Sequence, residues 1–381
     1  MPLTPEQLQL LQTAFRPHAA IEDPASFFGR DREKTRVREA LSEPGLQVVI
    51  YGEPGCGKTS LANVATEGFP RIKVFCEADA DFGRILRDTA LEFQKSDPHR
   101  IIYDALKDAI TVAGTVLPLG KMSGNSLLSI FPNDTRLCVI LDELDRVRDT
   151  KAIAGIAELA KNIATNRPNL TLVMVGVADT AGALLQGHTS NFRNIVEVQL
   201  DRMSDRGLRD ILAHGAGVLS ITFSDDVITA ILQLCDRMPY YLHLLAKYAS
   251  KAALEVGAPT VELDDLARGS VEAAHAADQQ LRSIYENAIL SQRGSRIYQR
   301  IVWAMANLAG KSNNLSEITL EANSIAIEEA DDAVTSGAIG AALKRLLSAD
   351  RQNIIYQPMS GVYCFTSPLM KGFIRLERFR Q

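Results

Sequence analysis

Much that would narrow a function is missing from this 381-residue chain. No apolar run approaches the ~20 residues that cross a bilayer, so a membrane protein is not expected. The opening Met1-Pro2-Leu3-Thr4-Pro5-Glu6 has neither the basic nor the apolar region of a signal peptide. A formal net charge of −5 argues against a nucleic-acid binder that is basic throughout and leaves only a local basic patch for that purpose. Cysteine is scarce. Cys56, Cys76, Cys138, Cys235 and Cys364 are odd in number, far apart and without a C-x-x-C pair. That argues against a zinc site or a disulfide framework and for a reducing, cytoplasmic setting. His18, His99, His188, His214, His243 and His275 are scattered without metal-ligand spacing, and no nuclease, protease, NADase or deaminase constellation is visible. Internal repeats and low-complexity tracts are absent too. What remains is an ordinary globular composition, 46% hydrophobic and 23% charged, on a chain long enough for two or three domains.

Against that background one segment stands out. Gly52-Glu53-Pro54-Gly55-Cys56-Gly57-Lys58-Thr59 fits G-x-x-x-x-G-K-[ST], the loop that cradles phosphates. Gln47–Tyr51 reads as a buried strand entering it, and Ser60–Ala65 as the helix leaving it. Strand, glycine loop and helix together aim backbone N–H groups and a helix N-terminus at phosphate oxygens. Residues Gly52 to Ser60 are therefore the nucleotide-binding candidates, with Lys58 reaching the β- and γ-phosphates and Thr59 ligating Mg²⁺. Cys56 has two readings: a small residue tolerated in the loop, or a thiol whose oxidation blocks nucleotide binding. Further on, Cys138–Glu143 is an apolar strand ending in two acids. Asp142 is expected in the Mg²⁺ shell and Glu143 to polarise the attacking water. Asp145 reads as a surface or packing residue. A fourth strand ends at Val175-Gly176-Val177-Ala178-Asp179, where Asp179 is either a γ-phosphate sensor or the N-cap of a helix at Thr180–Leu185.

Apolar β-type runs at Val48–Tyr51, Ile72–Cys76, Leu137–Leu141, Leu170–Val175 and Ile195–Leu200 alternate with amphipathic segments at Phe82–Phe93, Ile101–Ala113 and Ile153–Ile163. Alternation of this kind implies a parallel, doubly wound α/β sheet, with Leu119–Thr135 as a loop. After Leu200 helices are expected at Ser204–His214, Asp225–Asp236 and Tyr240–Leu254, and one more from Pro259 towards Ile284. Helices at Ser295–Leu308, Leu315–Glu321 and Ser336–Ser348, followed by β-like runs at Asn353–Tyr356 and Val362–Phe365, form a winged-helix pattern. The expected domains are thus 1–200, a nucleotide-binding α/β domain with an N-terminal segment; 201–285, a helical lid; and 286–381, a winged helix.

With these motifs in place the chain resembles AAA+ ATPases, and more narrowly bacterial ATPases related to origin-recognition initiators and to STAND signalling NTPases. The resemblance makes Phe28, Gly29 and Arg30, within Phe27–Glu33, the F-x-G-R motif at the adenine pocket. It matches Asp179 to sensor 1, and Arg193, at the end of His188–Arg193, to the arginine finger given to a neighbouring subunit. Asp236–His243 looks like the STAND-type G-x-P segment, with Arg237 where glycine is expected and Pro239 and Tyr240 towards the base and ribose. Tyr240 and Tyr241 stand where many AAA+ proteins carry a sensor-2 arginine, which implies slow turnover.

ATP is the implied nucleotide, from the family and from the lack of an N-K-x-D motif, with Mg²⁺ as its metal. Three roles follow. The first is an ATP-driven homo-oligomeric switch hydrolysing at subunit interfaces. The second is a DNA-binding initiator or loader, weakened by Glu328, Glu329, Asp331 and Asp332 ahead of the third helix, whose basic residues are Lys344 and Arg345. In that role Lys371, Arg375, Arg378 and Arg380 of the terminal helix would touch the phosphate backbone. The third is a STAND-like signalling ATPase, for instance in antiphage defence, that controls an effector on another chain.

Overall fold

The computed structural model describes residues 2–96, 101–132, 136–186, 193–277, 279–290 and 296–379. His99, the stretch 188–192 ahead of Arg193, Ser295 and Arg380 lie outside them. The chain forms two compact units, 20–201 and a second made of 1–19 with 202–381.

Residues 20–201 are built on five parallel strands: β1 (Gln47–Gly52), β2 (Arg71–Phe75), β3 (Leu137–Asp142), β4 (Leu170–Val177) and β5 (Ile195–Leu200). Their spatial order is β2-β3-β4-β1-β5. In register, Ile50 lies between Val175 of β4 and Val198 of β5, and Ile72 lies beside Val139 of β3. Every residue of β1 and β3 is buried, as expected of parallel strands covered on both faces. Each fully buried Val or Ile there contributes about 1.5–3 kcal/mol. The buried Gln47 side chain donates to the Gly45 carbonyl (3.3 Å) and accepts from the Leu172 N–H (2.7 Å), fixing where β1 starts beside β4.

One inserted segment differs from expectation. Ile101–Ala113, read as an amphipathic helix, forms strands Ile101–Asp104 and Ala109–Val112, which continue to Thr115–Pro118 in an antiparallel meander. The Asp104 carboxylate accepts the N–H groups of Leu106 (3.1 Å) and Lys107 (3.3 Å), turning the chain after the first strand. Ala113 (φ 48°) and Gly114 (φ 83°) make the two-residue turn between the other two. Its β-branched and aromatic residues then pair as a sheet rather than wind. The stretch read as a loop also holds a helix, Gly124–Ile130, capped by Ser123.

The second unit is mainly helical. The N-terminal helix Pro5–Ala14 belongs to it: Phe15, fully buried, makes edge contacts with Phe223 (6.2 Å) and His243 (6.1 Å). The expected domain 1–200 therefore differs from the observed unit at its start. Helices Asp205–Leu219, Asp225–Leu234, Pro239–Glu255 and Leu263–Ala276 follow. The helix expected to continue towards Ile284 instead breaks near Ala277 (ψ 165°), and a new one spans Gln279–Ile289. Short strands Thr222–Phe223 and Thr260–Val261 pair in parallel. Towards the C-terminus lie helices Ile297–Asn307, Leu315–Glu328 and Ser336–Leu346. Leu315–Glu328 is twice the expected length. The strands Ser312–Asn314, Ile355–Met359 and Val362–Phe365 form an antiparallel sheet before the last helix, Met370–Phe379. Among the described residues no helix is long and apolar enough to cross a membrane.

Candidate nucleotide site

The loop after β1 owes its path to glycine. Gly52 sits at φ 150°, and a Cβ there would lie 2.3 Å from the Leu200 carbonyl oxygen, so only glycine lets the loop leave the sheet at this point. Gly55 (φ 76°) and Gly57 (φ 90°) take left-handed conformations, and Gly57 caps the helix Lys58–Ala65. Alternating handedness of this kind turns successive N–H groups into one concavity suited to an anion, at the positive end of a helix.

Lys58 is buried, and its ammonium donates to the Glu53 carbonyl (2.8 Å), folding the side chain back over the loop. Burial lowers its pKa, opposed by Cys56, Asp145, Asp142 and Glu53. Thr59 Oγ1 donates to Asp142 Oδ1 (3.3 Å), so strand β3 and the loop after β1 meet at one carboxylate. Asp142, 1% exposed, also accepts the Glu143 N–H (3.0 Å). Its other oxygen faces the Lys73 ammonium at 3.0 Å, a charge contact without hydrogen-bond alignment. Lys73 is held from behind by the Asn63 amide oxygen (3.0 Å) and lies over the Phe75 ring (4.7 Å).

A hydroxyl and a buried carboxylate, hard oxygens 3.3 Å apart beside a phosphate loop, fit Mg²⁺, which takes most of its ligands from water and phosphate. Among the described residues no three His, Cys, Asp or Glu side chains gather as a metal site.

Glu143 follows in a left-handed conformation (φ 57°), unusual for a non-glycine residue and found at functional turns. Its carboxylate is bound by Arg146 at 2.5 Å. Asp145, read as a surface or packing residue, does more: it accepts the Val177 N–H (2.7 Å) and so ties the turn after β3 to the end of β4. Asp179 is exposed beyond that strand, and the N-cap reading fails for it, because Thr180 caps the helix Ala181–Leu184 through its hydroxyl.

The F-x-G-R residues are also near the loop. Gly29 has φ 72°, and Phe28 is half-buried. Arg30 is buried and donates to the carbonyls of Cys56 (3.5 Å) and Asp201, and pairs with Glu33 (3.2 Å). It braces the loop against the end of β5. Ser60 accepts the Ile21 N–H (3.0 Å). Cys56 is 1% exposed, closed to an oxidant as it stands. Arg193 is exposed. Pro239 and Tyr240 open a helix of the other unit, where Tyr240 stacks edge-on with His18 and Tyr241. Arg237 has φ 60°, the conformation that the expected glycine would supply.

Sequence reading missed Lys73 and Arg146. Lys73 left a trace, as a lone cation between Ile72 and Val74 in a strand beside the one carrying Asp142. Nothing in the local sequence marks Arg146 as the partner of Glu143.

The family described as novel STAND NTPase 1 matches residues 14–358. The chain belongs to this family. It shares its fold with a Walker-type ATPase of Pyrococcus abyssi, at a TM-score of 0.57 and 19% identity over 94% of this chain and 99% of that one. Lower scores come from Cdc6p of Pyrobaculum aerophilum, with TM-score 0.48 and 14% identity over 97% of each chain. The Aeropyrum pernix ORC1 protein in complex with DNA gives 0.49 and 16% over 96% of each. Neither carries an argument about this chain. No curated protein matches it. This STAND NTPase is thus an α/β P-loop protein with a parallel five-stranded sheet, of a class whose members bind nucleotide.

Proposed function

We propose that this STAND NTPase binds ATP with Mg²⁺ and acts as a nucleotide-dependent oligomeric switch, hydrolysing ATP slowly at subunit interfaces. The observation that carries the reading is the Thr59 hydroxyl on the buried Asp142 carboxylate, beside a P-loop whose lysine is already folded inward. Phe28, Gly29 and Arg30 would border the adenine, and Pro239 and Tyr240 its ribose side. Lys58 would leave the Glu53 carbonyl for the β- and γ-phosphates. Thr59 and Asp142 would hold Mg²⁺, which when bound supplies neutralisation of phosphate charge.

For hydrolysis, Glu143 has to release Arg146 before its carboxylate can accept a proton from water. Asp179 would sense the γ-phosphate, and Arg193 would complete a neighbour's site. Residues 201–285 then act as the lid and 286–381 as a winged helix that reads the nucleotide state.

Specific ATPase activity as a function of protein concentration tests this. Activity per subunit should rise as subunits meet, and Arg193→Ala should abolish the rise, lowering the assembled rate by about 10³-fold. A rise that survives Arg193→Ala removes the finger assignment.

A second reading, a signalling switch acting on an effector on another chain, is favoured by membership of the STAND family. Flat, near-zero turnover with ATP still bound would select it. DNA contact through the terminal helix loses support, because its described cations are engaged internally. Lys371 donates to the Gly310 carbonyl (2.8 Å), Arg375 to the Ala306 carbonyl (2.7 Å), and Arg378 pairs with Glu328 (2.9 Å).

A further inference from the structure

The helix Leu315–Glu328 has three faces. Ile318, Ala322, Ile325 and Ala326 are buried and hold it in the helical unit. Glu317, Glu321 and Glu328 share a second face. The third carries Leu315, Thr319, Leu320, Asn323 and Ile327, and with Ser336 of the next helix it lines a groove of about 780 Å³. Among the described residues that line this groove none is charged. Leu320 and Ile327 stand two turns apart on one side of the helix, 74% and 76% exposed. Of the described large hydrophobic side chains only Leu106 is more exposed. Single surface leucines are ordinary, but an aligned set beside an uncharged groove marks an interaction site.

The groove is preformed. The Asn323 amide accepts the Val334 N–H (2.8 Å) and donates to the Val334 carbonyl (3.1 Å), pinning the connection between the two helices. The Thr319 hydroxyl donates to the Leu315 carbonyl (2.7 Å). These two side chains make little demand for water, so apolar groups can cover them. The edge beside the groove keeps its negative charge. The Glu317 carboxylate accepts the Asn314 N–H (2.9 Å), and Glu321 accepts from the Asn307 amide (2.7 Å). Both donors are neutral, so among the described residues neither charge is cancelled. Glu328, by contrast, is paired with Arg378 (2.9 Å).

We propose that this face docks a basic amphipathic helix of another protein. Its apolar side chains would cover Leu320 and Ile327, and its lysines or arginines would meet Glu317 and Glu321. A straight groove along a helix suits a partner that presents anchors at helical spacing. An uncancelled acidic edge selects a cationic one and turns away nucleic acid. Two copies of the same face would bring the Glu317 and Glu321 carboxylates of both chains together with no cation in the groove, which disfavours self-pairing.

The test uses the full chain and a fluorescein-labelled amphipathic peptide of leucine and lysine, with leucines at i, i+3, i+4 and i+7, followed by anisotropy. Its counterpart with glutamate for lysine should bind far more weakly. Leu320→Asp with Ile327→Asp should weaken the lysine peptide about tenfold or more, although the new carboxylates attract lysine. Glu317→Gln with Glu321→Gln, which keeps the capping box at Asn314, should weaken it about threefold and lessen its salt dependence. Leu263→Asp with Val271→Asp, exposed positions on another helix, should not weaken it. The emission of Trp303, buried against Tyr285, confirms that each variant is folded. ATP affinity of the same variants should stay unchanged, so failure here leaves the reading of the nucleotide site intact. The proposal is overturned by no binding of the lysine peptide at about millimolar concentration, by equal binding of the glutamate peptide, or by binding that survives Leu320→Asp with Ile327→Asp. Displacement of the peptide by a DNA duplex overturns it as well. So does self-association in sedimentation that the same double variant removes, which would assign the face to a second copy.

Discussion

Around the P-loop three cations already have carboxylate partners, Lys73 on Asp142, Arg146 on Glu143 and Arg30 on Glu33, while Lys58 rests on the Glu53 carbonyl. In the helical unit two arginines divide one aspartate, and Lys371 rests on carbonyls. A site of matched pairs must exchange partners when its ligand arrives, so binding is coupled to rearrangement. In the helical unit the polar groups instead tie its own elements together, as Arg375 of the last helix does by holding both Asp236 and the Ala306 carbonyl. On this comparison the first region is suited to switching and the second to holding.

The strongest way to break the comparison is at Glu143. Glu143→Gln keeps the shape of the side chain and removes the proton acceptor. Turnover should fall by about 10²–10⁴-fold with ATP affinity retained, measured by phosphate release and by equilibrium binding. An unchanged rate would move the general base elsewhere and leave the Arg146 pair as a surface contact.

In the helical unit the largest effect expected comes from His243. Burial, and then the charge of Arg16, lowers its pKa from 6.5 to about 4, and Nδ1 has no hydrogen-bond partner among the described residues. The folded state therefore favours neutral imidazole, while the unfolded chain protonates near 6.5. Stability is fully present above that pH and is lost as pH falls towards about 4, by about 3 kcal/mol. Trp303, the only tryptophan of the chain, lies in the same unit, so its emission during urea unfolding at several pH values follows the loss. His243→Phe should flatten the slope between those limits. An unaltered slope would assign the acid sensitivity to carboxylates instead.

Lys73→Gln sharpens the idea of exchanged partners. Without nucleotide it leaves Asp142 buried beside a neutral amide and should cost about 2 kcal/mol, discounted because Lys73 is 21% exposed. ATP with Mg²⁺ should restore much of that, because the metal brings a cation to the same carboxylate. Thermal unfolding with and without MgATP measures both quantities. If the variant is destabilised equally in the two conditions, Lys73 is a fixed strut and the exchange does not occur.

How much of this could be read from the sequence differs between the units for the same physical reason. The P-loop is local: its glycines, lysine and threonine fall within eight residues, and a buried parallel strand announces itself by unbroken apolar character. Asp142 was legible because it ends such a strand. Arg146 was not, because its pairing depends on the left-handed turn at Glu143, which the sequence does not mark. Ile101–Ala113 reads as a helix because its apolar residues also suit a helical period, and only the turns at Asp104 and at Ala113-Gly114 decide for the meander. The basic side chains that line a concavity of the helical unit were invisible as a group because they lie far apart, from Arg202 to Arg378, and only folding collects them.

The smallest effect lies where sequence and backbone disagree. Arg237 stands where the resemblance to the STAND-type segment leads one to expect glycine, and it takes φ 60°, following Asp236 at φ 51°. A non-glycine residue in this conformation costs about 1–2 kcal/mol. Arg237 recovers part of that through its Nε hydrogen bond to the Met203 carbonyl (3.0 Å) and a longer contact with Asp205 (3.5 Å). Arg237→Ala loses those contacts and keeps the strain, whereas Arg237→Gly loses them and relieves it. Urea unfolding should therefore find the glycine variant more stable than the alanine variant by about 1 kcal/mol, a difference independent of the lost side chain. Equal stabilities would mean that this turn relaxes out of the left-handed region in solution. A glycine variant as stable as the native chain would mean that the arginine contributes nothing net to the fold here.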